Sequence, residues 1–424
     1  MQNFKKINLI VIHPLGRAGS TFLQSLFDGH PSIVGFPSFG CIFNKINQVI
    51  ESFETEINIF IENNVSLFNS AKGYFGEVNI NVSGKFGKNA DQDIYINIDK
   101  FKKECLTIFK NLELQNHNKL SRIDFFKIIH IGYSKCFRNI NFDKVKYVLY
   151  HPHSVDEFEI LINSFPNLFL FTLTRDPRQD WESFRKVISI RTGRKLSHFH
   201  NIDLFNNSIV YSKDAFVIHQ FQKKVKKDQF IVLDLIEFHR LNKKAMEFFC
   251  KKLDIDFDET LLQSTFNGLI WSGNAASRKI INGFNLNMND RWAHNLSKKD
   301  IQNLSILNYG AISCFGYKLK KNINAEKFRI LASKIVFKNL ILEYSLHNIY
   351  SNFFAIFSPL KTGNAPKHLF KEFLKRIFVF LKSIILVASV QKSVLKKKLF
   401  ELEKQQRFLY NNPLPKDIFL KEKK

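Results

Sequence analysis

Four short, continuously apolar runs punctuate the first 240 residues: Ile7–His13, Val145–Tyr150, Leu168–Thr174 and Phe230–Leu235. Runs of this length without polar alternation predict strands buried on both faces, the pattern of a parallel sheet covered by helices. After the first run, Phe22, Leu23, Leu26 and Phe27 recur at helical spacing. After the third, Asp176 predicts an N-cap and Pro177 an N1 proline, opening a helix that carries Trp181 and Phe184. The chain is therefore predicted to be α/β, with a central parallel sheet and helices on both faces. Residues 41–140, rich in Asn and Phe, interrupt the pattern and predict an insertion or helical cap.

From Lys321 the texture changes. Leu374–Leu395 is very apolar, yet Lys375, Arg376, Lys382 and Lys392 interrupt it. Its longest charge-free run is nine residues, short of the ~20 that a spanning helix needs. Lys375, Lys382, Ser389 and Lys396 repeat every seven positions, forming one polar stripe on an apolar helix. Over 371–398 that pattern suits a helix on a membrane surface or against a partner. A core helix with outward-snorkelling lysines reads the same way. Two units are expected, 1–320 and a basic, mainly helical C-terminal extension, 321–424.

Composition sharpens this picture. The 424 residues carry a net charge of +25, of which 321–424 supply +14. Such an excess points to an anionic partner: nucleic acid, a lipid surface, or a phosphorylated or sulfated small molecule. Lys, Asn, Ile and Phe are all abundant, a skew that genomic codon bias would also produce, so the excess by itself does not specify a ligand. Five cysteines, with no C-x-x-C pair, disfavour a disulfide framework or a structural zinc site. The apolar run Ile7–Ile12 is too short for a signal-peptide core. The expected location is cytoplasmic, with association at the inner membrane surface through the tail.

The segment His13-Pro-Leu-Gly-Arg-Ala-Gly-Ser-Thr-Phe22 is the most informative in the chain. A strand enters it, two glycines turn it and a helix leaves it. That geometry aims backbone N–H groups and a helix N-terminus at an anion, with Ser20 and Thr21 as hydroxyl donors. It lacks the Gly-Lys-[Ser/Thr] ending of a Walker A loop. A second segment, Thr174-Arg-Asp-Pro-Arg-Gln-Asp-Trp-Glu-Ser183, puts Arg175 at the carboxyl end of a strand and Ser183 eight residues on. Ligands of open α/β sheets sit outside such strand ends, so both segments can serve one anionic ligand.

Together the two segments resemble those of the 3′-phosphoadenosine 5′-phosphosulfate (PAPS)-dependent sulfotransferases. Gly-Arg-Ala-Gly-Ser-Thr-Phe-Leu is similar to their 5′-phosphosulfate loop, and Thr-Arg-Asp-Pro with Ser183 to their 3′-phosphate motif. Arg17, where cytosolic members carry Lys, brings the loop closer to carbohydrate and bacterial sulfotransferases. Phe230–Phe238, with a helix to Leu253, is similar to the family's strand and helix there. Trp271 to Lys279, Gly283-Phe284 and Arg291-Trp292 are loosely similar to its loop over the nucleotide, without the glycine-and-lysine pattern of cytosolic members. The resemblance spans about residues 7–320.

It implies a P-loop-like nucleotide-binding sulfotransferase fold and in-line transfer of a sulfuryl group to a hydroxyl, most plausibly of a saccharide or glycolipid. The product would be 3′,5′-bisphosphoadenosine. Donor-binding residues would be Arg17, Ala18, Gly19, Ser20, Thr21, Phe22, Arg175, Ser183, Gly273 and Asn274, with Arg17 stabilising the leaving group. No metal is called for and no nucleic acid is expected as partner. The base is sought in Tyr150-His-Pro-His-Ser-Val-Asp-Glu-Phe158, at the end of the second strand. His153 lies 22 residues before Arg175, similar to the catalytic histidine of cytosolic members. His151, Asp156 and Glu157 are alternatives, and the two histidines could instead cap a helix. Rival readings are a P-loop-type kinase of a small molecule and a basic nucleic-acid or membrane-surface binding module.

Overall fold

The structure, a computed structural model, describes residues 2–36, 42–65, 68, 86–112, 120–152, 155–193, 195–199, 201–271, 273, 282–319, 328, 330, 333 and 394–420. A short helix α1 (Gln2–Lys6) leads into β1 (Asn8–Pro14), followed by α2 (Ser20–Phe27) and β2 (Ile33–Gly35). The remaining strands of the sheet are β5 (Tyr147–Tyr150), β6 (Phe169–Thr174) and β7 (Phe230–Asp234). All five run parallel, in the order β2-β5-β1-β6-β7. The four apolar runs are thus the four inner and right-hand strands. The edge strand β2 was not anticipated, because three residues after Gly29 and Pro31 carry too little apolar signal.

Alternate side chains of β1 go to opposite faces. Leu9 and Val11 join one cluster, with residues of α5 (Arg122–Lys135) and α8 (Asn201–Phe221). Ile10 and Ile12 join another, with α2, α9 (Leu235–Leu241) and α10 (Lys243–Leu253). Both faces are therefore covered by helices, as the uniform burial of the strands requires.

The chain leaves β1 through α2 toward β2 on one side. It leaves β6 through α7 (Pro177–Thr192) and α8 toward β7 on the other. β1 and β6 are neighbours, paired from Ile10–Phe169 to Pro14–Leu173. The strand order reverses between them, and the crevice outside their carboxyl ends is where doubly wound sheets bind ligands.

Residues 42–135 add α3 (Phe53–Asn63), α4 (Ile98–Asn111) and α5, with a two-stranded ribbon of β3 (Val49–Ile50) and β4 (Leu120–Ser121). Asn97 and Ser121 N-cap α4 and α5 through their side chains. The helix over 394–411 and the segment to residue 420 return to the body of the fold. Gln406 Oε1 accepts the amides of Gly310 and Ala311 at 2.6 and 3.1 Å. Phe419 bridges in parallel to Val232 of β7, and Leu409, Leu414 and Ile418 are buried in the main core. Residues 371–393 of the amphipathic stretch lie outside the described residues.

Candidate active site

β1 ends at Pro14, and the chain turns through Leu15–Gly19 into α2. Gly16 and Gly19 take left-handed backbone, with φ +63° and +81°. A Cβ at Gly16 would lie 2.4 Å from Asp180 Oδ1, and one at Gly19 2.5 Å from Leu235 Cδ1. The two glycines therefore serve the close approach of the loop to α7 and α9. Gly19 opens α2 without a side-chain cap. The amides and hydroxyls of Ser20 and Thr21, and the Gly19 amide, have no hydrogen-bond partner among the described residues. Orphan donors at a helix start, beside cations, form an anion-binding arrangement.

α7 holds this loop in place. The Arg17 amide donates to Asp180 Oδ1 at 2.5 Å, while Asn207 Nδ2 on α8 donates to Oδ2 at 3.0 Å. Burial pushes the Asp180 carboxyl up, and the Arg17 amide, Asn207 and nearby Arg175 oppose that push. Arg175 Nη1 donates to the Arg17 carbonyl at 3.2 Å, and the Arg175 carbonyl accepts the Tyr211 hydroxyl at 2.5 Å. Arg175 is 6% exposed. Burial lowers its pKa from the guanidinium value, offset first by Asp180 and Glu182, so the side chain stays charged. Its buried Nε has no acceptor among the described residues. An unmet donor on a buried cation carries a free-energy cost that an incoming anion removes.

The second arginine of the motif is spent inside the fold. Arg178 Nε bonds Asp176 Oδ1 at 2.8 Å, its Nη2 reaches Asp176 Oδ2 and the Lys318 carbonyl, and its guanidinium lies 4.1 Å from the Trp292 ring centroid. Asp176 N-caps α7 through the Arg178 amide, as expected from Asp176-Pro177. Gln179 Oε1 accepts the amides of Arg291 and Trp292 at 2.8 and 3.0 Å. The segment expected over the nucleotide is thereby pinned to the first turn of α7. Ser183 sits half-buried on α7, Gly273 takes φ +85°, and Asn274 lies outside the described residues.

Phe22, in the first turn of α2, belongs to an aromatic group. His239 stacks on it at 4.5 Å, while Phe238 and Phe284 meet it edge-on at 5.9 and 5.4 Å.

The candidate bases separate by environment. His153 lies outside the described residues. His151 is fully buried, with Nδ1 2.9 Å from Gln24 Oε1. Glu157 is also fully buried; it accepts the Asn44 amide at 2.8 Å and a short bond from the Tyr150 hydroxyl. It ties the start of the insertion to the end of β5. Asp156 is exposed. Of the basic residues that follow Ser183, Arg185 donates to the Asn295 carbonyl and Lys186 pairs with Glu182.

Asp180, Asn207, Tyr211 and Gln179 were not singled out in the sequence. Asp180 carried a faint signal, an acid four residues after the N-cap on a helix otherwise led by arginine. Among the described residues, no group of three or more His, Cys, Asp or Glu is placed to hold a metal ion. Nor is any described helix long and apolar enough to cross a membrane.

No family model matches the chain, and no curated protein does. Among solved structures it is similar to the sulfotransferase domain of the curacin biosynthetic pathway, at 12% identity and TM-score 0.36, covering 78% of this chain and 99% of that one. It is similar to the sulfotransferase domain of a Synechococcus olefin synthase, at 12% identity and TM-score 0.33, covering 78% and 96%. A sulfotransferase from Mycobacterium tuberculosis gives 11% identity and TM-score 0.33, covering 61% and 71%.

Proposed function

We propose that this protein transfers a sulfuryl group from PAPS to a hydroxyl group, the acceptor being a saccharide or glycolipid. One observation carries the proposal: Arg17 and Arg175, 158 residues apart, are joined by a hydrogen bond at the crevice between β1 and β6. The amides and hydroxyls of Ser20 and Thr21, three and four residues after Arg17, have no partner among the described residues. Two cations at adjacent strand ends suit a ligand with two separated anionic groups, which distinguishes a 3′,5′-bisphosphate from AMP.

Bound donor supplies the activated sulfuryl group. Arg17, with the Gly19, Ser20 and Thr21 donors, would take the charge that builds on the oxygen bridging sulfur and the 5′-phosphate as that bond breaks. Arginine suits this part as a fixed charge and not as a proton donor. Arg175, through its unmet Nε, and Ser183 would hold the 3′-phosphate. Phe22 would face the base, and Gly273 and Asn274 would close over it. His153 would accept the acceptor's proton as the new S–O bond forms, a part typically worth ~10²–10⁴-fold in rate. The loop type, with arginine in place of lysine, supports a saccharide acceptor.

Calorimetric titration with 3′,5′-bisphosphoadenosine, AMP and ATP tests the donor. The bisphosphate is expected to bind at least 100-fold more tightly than either of the others; equal affinity for all three overturns the assignment. Incubation with labelled PAPS and candidate glycans then identifies the acceptor by what acquires sulfate.

A further inference from the structure

The helix over 394–411 is set on the body of the fold by one face. Leu399, Leu402, Gln405, Gln406 and Leu409 on that face are buried. Gln406 fixes the rotation about the helix axis: its Oε1 accepts the Gly310 and Ala311 amides, and its Nε2 donates to the Ser212 hydroxyl. The opposite face therefore has to look outward.

At the centre of that face stands Phe400, 67% exposed. Lys396 and Lys397 lie four and three positions before it, Lys404 and Arg407 four and seven after it. Helical geometry groups all of them around the ring. Each is exposed, and none forms an ion pair among the described residues. Lys223 of α8 adds a cation along the helix, over the Phe408 ring at 6.0 Å. Of the helix's own acids, Glu403 is half-buried on one flank and Glu401 lies a quarter-turn away.

Single apolar residues on a surface need no explanation, but this one departs from how the chain treats the residue type. Phe occurs 46 times, and among the described residues every phenylalanine except Phe400 is buried or half-buried. Abundance alone would scatter several over the surface.

A partner that satisfies this face must offer anions with an apolar layer beneath them. An anionic bilayer does. Its phosphates meet the lysine heads, whose long stems leave the phenyl ring free to reach the acyl boundary. A nucleic-acid duplex presents its phosphates without such a layer, so Phe400 would gain nothing there.

We propose that the outward face of this helix docks on anionic phospholipid membranes, with Phe400 at the acyl boundary and Lys396, Lys397, Lys404 and Arg407 on the headgroups. The proposal is independent of the donor reading, and it uses a face that only the packing of the helix defines.

The test uses the full chain with phosphatidylglycerol-containing vesicles, pure phosphatidylcholine vesicles and single-stranded DNA. Trp181, Trp271 and Trp292 are buried, so in Phe400→Trp the emission added over wild type reports on position 400. That emission is expected to shift to the blue with phosphatidylglycerol vesicles and to be quenched by brominated acyl chains, with no change on phosphatidylcholine alone. Phe400→Ser should bind the anionic vesicles about 10-fold more weakly. Lys396→Gln, Lys397→Gln and Lys404→Gln together should bind them about 100-fold more weakly. Thermal melts establish that each variant is folded, and no large shift is expected because the altered side chains face outward. Emission from position 400 that is unmoved by anionic vesicles, or binding by Phe400→Ser equal to wild type, overturns the proposal. A response to single-stranded DNA and not to vesicles overturns it in favour of a nucleic-acid surface.

Discussion

Asp180 accepts the amide of Arg17 at 2.5 Å while Arg175, five residues earlier, donates to the carbonyl of the same residue at 3.2 Å. The peptide groups on both sides of the Arg17 side chain are therefore fixed by the segment that follows β6. The cation of one motif is held in place by the other motif, so the two should be energetically coupled.

Arg175→Ala should remove most of the preference for 3′,5′-bisphosphoadenosine. We expect the affinity for that ligand to fall about 100-fold, as for a charge-assisted contact in a buried setting. AMP binding should fall less. Calorimetry on the variant checks both, and an unchanged preference would show that Arg175 does not read the 3′-phosphate.

Gly19→Ala tests the close approach of the loop to α9. The new Cβ meets Leu235 Cδ1 at 2.5 Å on a backbone with φ +81°. A stability loss of about 2–3 kcal/mol is expected from strain and clash together. Leu235→Ala in the same chain relieves the clash and not the φ strain, so denaturant unfolding of the double variant should show partial recovery.

His153→Ala should lower kcat by about 10²–10⁴-fold and leave 3′,5′-bisphosphoadenosine affinity unchanged. The acid limb of the pH–rate profile should disappear with it. Single-turnover kinetics with PAPS and calorimetry separate the two effects. Full turnover in the variant would remove His153 as base.

Asp214 on α8 is pushed up to about 7 by burial, with Asp180 and Asp156 adding to the push and Lys213 opposing it. Between the ordinary carboxylate range and about 7 the folded protein keeps a proton that the unfolded chain has released. Stability therefore falls as pH rises through that window and is level above it. Asp214→Asn should melt at a higher temperature than wild type at about pH 8, with the two converging near pH 4. Differential scanning calorimetry across that range checks the sign.

Peripheral membrane contact through 371–398 is tested with charge variants, because residues 394–420 pack into the fold and truncation would remove Gln406, Leu409 and Ile418 from it. Lys375→Gln, Lys382→Gln and Lys392→Gln together should weaken binding to phosphatidylglycerol-containing vesicles by about 100-fold, at ~1 kcal/mol per residue. The melting temperature should not change. Co-sedimentation that is equal for variant and wild type would dismiss the contact.

Several features could be read from the chain alone because their physical cause is local. The apolar runs at Ile7–His13, Leu168–Thr174 and Phe230–Leu235 predict buried strands, since no other short element hides both faces, and β1, β6 and β7 lie there within a residue at each end. Asp176-Pro177 had to start a helix, and two glycines between a strand and a helix had to make a tight loop. What tertiary structure decided is which distant residues meet. Strand order brings Arg17 to Arg175 and sets Asp180 and Asn207 behind the loop. It turns Glu157, readable as a base, into a buried anchor for Tyr150 and Asn44. It also lays His239 on Phe22, across 217 residues. Apolar periodicity tells a strand that it must be covered, and it carries no information about its neighbour. That choice follows from the whole chain closing one sheet, and the site exists only where the sheet's order reverses.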